Sequence, residues 1–145
     1  MIERVPVFTI AGSDSSGGAG IQADLKTMTA LQVYGMSAIT ALTAQNTMGV
    51  QGILPVPADF LRQQLCAVCE DIPPKAVKIG MIASAEQVQV ICHILSQYVL
   101  SNIVVDPVMV ATSGATLTQQ ATVAAMQEQL FPLATLLTPN LAEAE

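Results

Sequence analysis

The sequence has no tryptophan, only two tyrosines and three phenylalanines, and a single histidine, His93. Its apolar bulk is therefore Ala, Val, Ile, Leu and Met, which suits strands buried on both faces with helices packed across them. Charge is scarce as well: 11% of residues are charged, against about 25% in an average domain. So little charge poorly covers the surface of a self-sufficient monomer, so a buried partner surface, a missing piece, or both are expected.

Basic residues are the scarcest charged type. Arg4, Lys26, Arg62, Lys75 and Lys78 are all of them, they form no cluster, and the net charge is −6. Nucleic acid and anionic membranes are thereby excluded as partners. The longest uncharged stretch, Thr27 to Ala58, is interrupted by Gln, Asn, Gly and Pro, which rules it out as a membrane span. "MIERVPVFTI" has no long apolar run of the signal-peptide kind. Cysteines number three, and Cys66 and Cys69 form a C-x-x-C. No second pair follows, and inside "DFLRQQLCAVCEDI" positions three apart share a helix face, which predicts core packing over a metal or redox site. A cytoplasmic location is expected.

Short apolar runs alternate with longer amphipathic ones along the 145 residues. Strands are predicted at 5–11, 37–44, 75–82, 102–110 and 134–140, with an irregular or edge strand at 49–57, where Pro55 and Pro57 cannot donate to a ladder. Helices are predicted from Gly20 to Tyr34 (stopped by Gly35), from Ala58 to Ile72, from Ser84 with a Ser84–Gln87 capping box, and from Gln119. Strand–helix–strand units at this spacing predict an α/β fold with a mostly parallel sheet. "TPNLAEAE" sets Asn140 and Glu143 in capping-box spacing, so a helix should begin there. The chain stops within its first turn, and truncation is expected, since one isolated turn does not repay helix nucleation.

The densest glycine cluster is "TIAGSDSSGGAGIQADLKT", with Gly12, Gly17, Gly18 and Gly20. A Walker A loop needs Gly-Lys-Ser/Thr, and Lys26 lies too far beyond Gly20 to supply it. "GAGIQA" matches the dinucleotide fingerprint G-x-G-x-x-G/A, but no Asp or Glu occurs from Leu25 to Ala58 to bind a ribose hydroxyl. A third reading is a flat substrate lying across the loop, its edge read by the planar amides of Gln45 and Asn46. Asp24 could accept from a ring substituent or simply complement the helix dipole.

"TIAGSDSSGGAGIQADLKT", "ITALTAQNTMGV", "KIGMI", "VVDPVM" and "LLTPNLAEAE" together resemble the hydroxymethylpyrimidine and phosphomethylpyrimidine kinases of thiamine biosynthesis, members of the ribokinase-like superfamily alongside pyridoxal kinases. The resemblance implies a three-layer αβα fold, a cytoplasmic homodimer, ATP and Mg²⁺ as cofactors, and a small aminopyrimidine as substrate. It implies further that Gly12, Ala19, Asp24, Gln45, Met81 and Val108 line the pyrimidine site. Asp106 and Glu143 would serve Mg²⁺, and Asn140 and Glu143 the ATP phosphates. Taken singly, Met81 and Val108 also read as core residues, Asp106 as a turn former before Pro107, and Glu143 as a capping partner.

Two departures from the family pattern stand out. The family's later G-x-G-C/D motif, which supplies the anion hole and the base, has no counterpart, the last glycine being Gly114. Thr112 occupies a position where relatives commonly carry lysine. The chain thus reads as the N-terminal part of one kinase domain, inactive alone. A pyridoxal, pyridoxine or pyridoxamine kinase is the alternative within the class, a non-catalytic vitamin-binding module an alternative outside it, and a dinucleotide-binding domain comes last.

Overall fold

The computed structural model describes residues 4–109 and 118–144. Five parallel strands form the central sheet in the order β2-β1-β5-β6-β7: β1 is Pro6–Ala11, β2 Tyr34–Ile39, β5 Ala76–Ile79, β6 Ile103–Val105 and β7 Leu136–Leu137. A separate antiparallel ribbon joins β3 (Ala41–Asn46) to β4 (Gly49–Pro55). The helices are α1 (Gly20–Ala30), α2 (Ala58–Asp71), α3 (Ala85–Gln97), α4 (Gln120–Ala125) and the single turn α5 (Leu141–Ala144); a wider π turn, Met126–Leu130, and a 3-10 turn, Phe131–Leu133, extend α4.

Strand alternation sorts the side chains into two layers. Phe8 and Ile10, Met36 and Ala38, Val77 and Ile79, and Ile103 and Val105 face one core, closed by Leu61, Leu65 and Cys69 of α2 and by Val88, Ile91 and Ile94 of α3. The residues between them face α1 instead, where Thr9 and Lys78 both reach Asp24. Helices therefore cover both faces of a mostly parallel sheet, which makes the α/β class read from the alternating pattern and the three-layer arrangement implied by the resemblance. Cys69 is buried in the α2 packing and Cys66 half-buried beside it, both free thiols. Burial raises Cys69 and Cys92 to about 11, so neither is a thiolate at neutral pH.

Four expectations are corrected. Gly35 is not a helix cap: α1 ends at Ala30, the left-handed turn falls at Gln32, and Gly35 lies inside β2. A Cβ at Gly35 would stand 3.0 Å from Leu25 Cδ2 and 3.1 Å from Met28 Sδ, so glycine there permits close helix–sheet packing. The predicted strand 37–44 is two strands, broken at Thr40, because β1 ends at Ala11 and offers no partner beyond it. Gln87 completes only half of the expected capping box. Its amide donates to Ser84 Oγ at 3.3 Å, but its side chain is used elsewhere. At the other predicted box the pattern is reciprocal: Glu143 N donates to Asn140 Oδ1 and Asn140 N to Glu143 Oε2, each at 3.0 Å. The expected strand at 102–110 runs only to Val105, and positions 110–117, including Thr112, lie outside the described residues.

Candidate functional site

A cleft of about 590 Å³ opens outside the carboxyl ends of β1, β5, β6 and β7, roofed by the β3–β4 ribbon. Open parallel sheets bind ligands at this edge, because the strand ends there leave backbone groups free and their loops converge.

The glycine loop forms one wall, and Asp14 organises it. One Asp14 carboxylate oxygen accepts from Ser16 N (2.9 Å) and Ser16 Oγ (2.8 Å); the other accepts from Gly18 N (2.9 Å) and Ala19 N (2.8 Å). Burial pushes this carboxyl up, but the Ser16 hydroxyl and the amides of Ser16, Ala19 and Gly18 outweigh it and hold it below its ordinary value. The loop is thus an anion nest whose anion is its own side chain. Gly20, at φ +56°, closes it, since a Cβ there would stand 2.3 Å from Gly12 O. Lys26 Nζ donates to Gly17 O at 2.8 Å, fastening the tip to α1.

The floor is charged. Lys78 Nζ lies 3.1 Å from each carboxylate oxygen of Asp24 and 4.0 Å from Asp106 Oδ2. Asp24 also accepts from Thr9 Oγ1 at 2.6 Å. Asp106 is raised above its ordinary value, first by burial and then by Glu143 and Asp24, with Lys78 opposing. Glu143 accepts from Met109 N (3.3 Å) as well as from Asn140 N, tying the segment after β6 to the start of α5. Among the described residues no three carboxylate, histidine or cysteine side chains form a ready metal cage. The pair Asp106 and Glu143 suits a cation that keeps several waters and shares phosphate oxygens, the habit of Mg²⁺.

The ribbon supplies the third wall. Ser15 Oγ donates to Gln45 O (2.7 Å) and accepts from Gln45 N (2.9 Å), while Thr43 Oγ1 donates to Ser13 O at 2.6 Å. The single Thr43 proton goes to that shorter bond, so its 3.2 Å contact with Gln45 Oε1 leaves the Gln45 amide available to a ligand. The residues that the resemblance assigns to the substrate, metal and phosphates all line this cleft: Gly12, Ala19, Asp24, Gln45, Met81, Val108, Asp106, Asn140 and Glu143. Lys78 and Asp14 also line it and were missed. For Lys78 a signal existed, since a lone lysine between Val77 and Ile79 must face away from the core.

Parallel sheet, two helical layers and a ribbon-roofed cleft define the architecture of ribokinase-like small-molecule kinases. The structure matches phosphomethylpyrimidine kinase from Clostridium difficile 630 with a TM-score of 0.92 at 51% identity, over 98% of this chain and 62% of that one. It matches the pyridoxal kinase of Staphylococcus aureus in complex with pyridoxal with a TM-score of 0.87 at 39% identity, over 97% of this chain and 51% of that one. In sequence it is 52% identical over 138 residues to hydroxymethylpyrimidine/phosphomethylpyrimidine kinase of Bacillus subtilis, covering 95% of this chain and 51% of that protein. It is 57% identical over 142 residues to the thiamine biosynthesis bifunctional protein ThiED of Geobacter sulfurreducens, covering 98% and 29%. The sequence model described as phosphomethylpyrimidine kinase matches residues 14–145, and the chain belongs to that family. The chain spans about half the length of the Bacillus subtilis relative and 29% of the Geobacter sulfurreducens one.

Proposed function

We propose that these residues form the substrate-binding part of a kinase domain that transfers the γ-phosphate of ATP to 4-amino-5-hydroxymethyl-2-methylpyrimidine, to its monophosphate, or to both, in thiamine biosynthesis. The observation that carries this reading is the self-filled glycine loop. Its Gly18 and Ala19 amides are already taken by Asp14, so the loop offers a flat backbone wall and not a phosphate cradle. A ring against Gly12 and Ala19 meets the free amide of Gln45 and the carboxylate of Asp24, with Met81 and Val108 on its faces.

The nucleotide side lies across Lys78. Asn140 and Glu143 would face the ATP phosphates, and Asp106 with Glu143 would hold Mg²⁺, which when bound neutralises charge on the transferred group. The protein's own residues position and screen; no residue here matches the family's G-x-G-C/D motif, so no base is assigned among them. We place the protein in the cytoplasm as a homodimer. Among the described residues no helix is long and apolar enough to cross a membrane, and the paired Leu42 and Leu54 leave an exposed apolar face on the ribbon.

Calorimetric titration with the aminopyrimidine and with pyridoxal tests the reading. Saturable aminopyrimidine binding, weakened by more than about 1 kcal/mol in Gln45→Ala, is expected, the cost of an unpaired polar edge. Tighter pyridoxal binding would transfer the assignment to a pyridoxal kinase, and saturation by neither would remove it.

A further inference from the structure

Gln87 is buried, 1% exposed, and its side-chain amide joins a neighbour on its own helix entry to two backbone groups far away in sequence. Its Oε1 accepts from Ala83 N at 2.9 Å. Its Nε2 donates to Thr40 O at 2.8 Å and to Val56 O at 2.7 Å. Thr40 and Val56 are the residues flanking the β3–β4 ribbon, one on its way in and one on its way out. They are bonded to each other as well, Val56 N to Thr40 O at 2.9 Å. Thr40 Oγ1 donates to Met81 O at 2.7 Å, linking the same knot to a residue of the cleft.

A glutamine amide has two donor hydrogens and one acceptor oxygen, and here all are used. Beyond this root, among the described residues, the ribbon's hydrogen bonds to the rest of the fold are Ser13 N to Ala41 O at 2.8 Å and those of Thr43 and Gln45 to the glycine loop. Without the root, the ribbon would hang by the groups that line the cleft. We propose that Gln87 is a positioning residue: it sets the angle of the ribbon and thereby holds Gln45 over the cleft without touching the ligand. This rests on the reading that Gln45 contacts the pyrimidine, but the clamp itself can be tested without any ligand.

Gln87→Met keeps the length of the side chain and removes all three bonds. Gln87→Asn keeps the amide but is a methylene too short to hold both carbonyls. Ile91→Val, in the core face of the same helix, serves as a control for general destabilisation. Amide hydrogen exchange in Gln87→Met should accelerate about tenfold or more across Ala41–Asn46 and Gly49–Ile53, for the loss of two buried bonds, with β1 and β5 unchanged. Gln87→Asn should show a smaller effect in the same residues, and aminopyrimidine affinity should fall in the same order. Acceleration spread evenly over ribbon and sheet, as in Ile91→Val, would make Gln87 an ordinary core residue and overturn the proposal. Unchanged ribbon exchange would overturn it too. If the unaltered protein fails to bind the pyrimidine, the functional reading falls, while the exchange comparison still decides the clamp.

Discussion

Lys78 Nζ bridges Asp24 and Asp106, 3.1 Å from the first and 4.0 Å from the second, and so joins the helix α1 side of the cleft to the end of β6. One cation thus serves a neighbourhood of three carboxylates, Asp24, Asp106 and Glu143. Lys78→Met should destabilise the protein by about 1 kcal/mol, a modest figure because the ammonium is partly solvated. Asp24→Asn combined with Lys78→Met should recover part of that loss. A double-mutant cycle on urea midpoints checks this, with a coupling of about 0.5 kcal/mol or more expected.

Asp14 is the second test. Asp14→Asn places an NH₂ group against amide and hydroxyl donors, and should cost about 2–3 kcal/mol. The sign of the pH dependence follows from its depressed folded value. The stabilisation is complete above the ordinary value of 3.8 and is lost as pH falls through the lower folded value. Unfolding midpoints of the unaltered protein should therefore drop below about pH 4 more steeply than those of Asp14→Asn.

The glycines of the cleft wall and the sheet should rank in cost. Gly20→Ala meets backbone, Gly12 O at 2.3 Å, and forces a left-handed φ on alanine; about 2–4 kcal/mol is expected. Gly35→Ala meets the side chains of Leu25 and Met28, which can shift, and should cost about 1–2 kcal/mol. Thermal denaturation of the two variants gives the order directly.

Asp106 behaves oppositely to Asp14, because its folded value is raised. Its ionisation therefore works against the fold, and stability is lost as pH rises from the ordinary value through the raised one. With its side chain 37% exposed, the effect is screened, and Asp106→Asn should stabilise the ligand-free protein by only a few tenths of a kcal/mol. The same variant should weaken binding of Mg²⁺ with nucleotide. Gains in melting temperature without loss of that binding would remove Asp106 from the proposed metal side.

Much of this was readable from local pattern. The alternation of apolar runs and helical segments gave the class of fold, and the Asn140–Glu143 spacing marked a helix start that the structure makes reciprocally. The same kind of pattern misled at Ser84–Gln87, where a capping-box spacing concealed a glutamine whose side chain bonds to Thr40 and Val56. It misled again at 37–44, because periodicity does not show where a neighbouring strand runs out. Gly35 looked like a stop signal, and only the proximity of Leu25 and Met28 reveals why glycine is needed there.

The sequence alone determined what is local in energy: strand and helix identity, the glycine loop's failure to match either phosphate motif, and the residues gathered at the cleft through the family resemblance. Tertiary structure decided what depends on pairing across the chain. Lys78 meets a carboxylate 54 positions away, and Gln87 ties down a ribbon 31 to 47 positions away. A buried charge or amide needs partners to offset desolvation, and which partners it finds is set by how the layers pack.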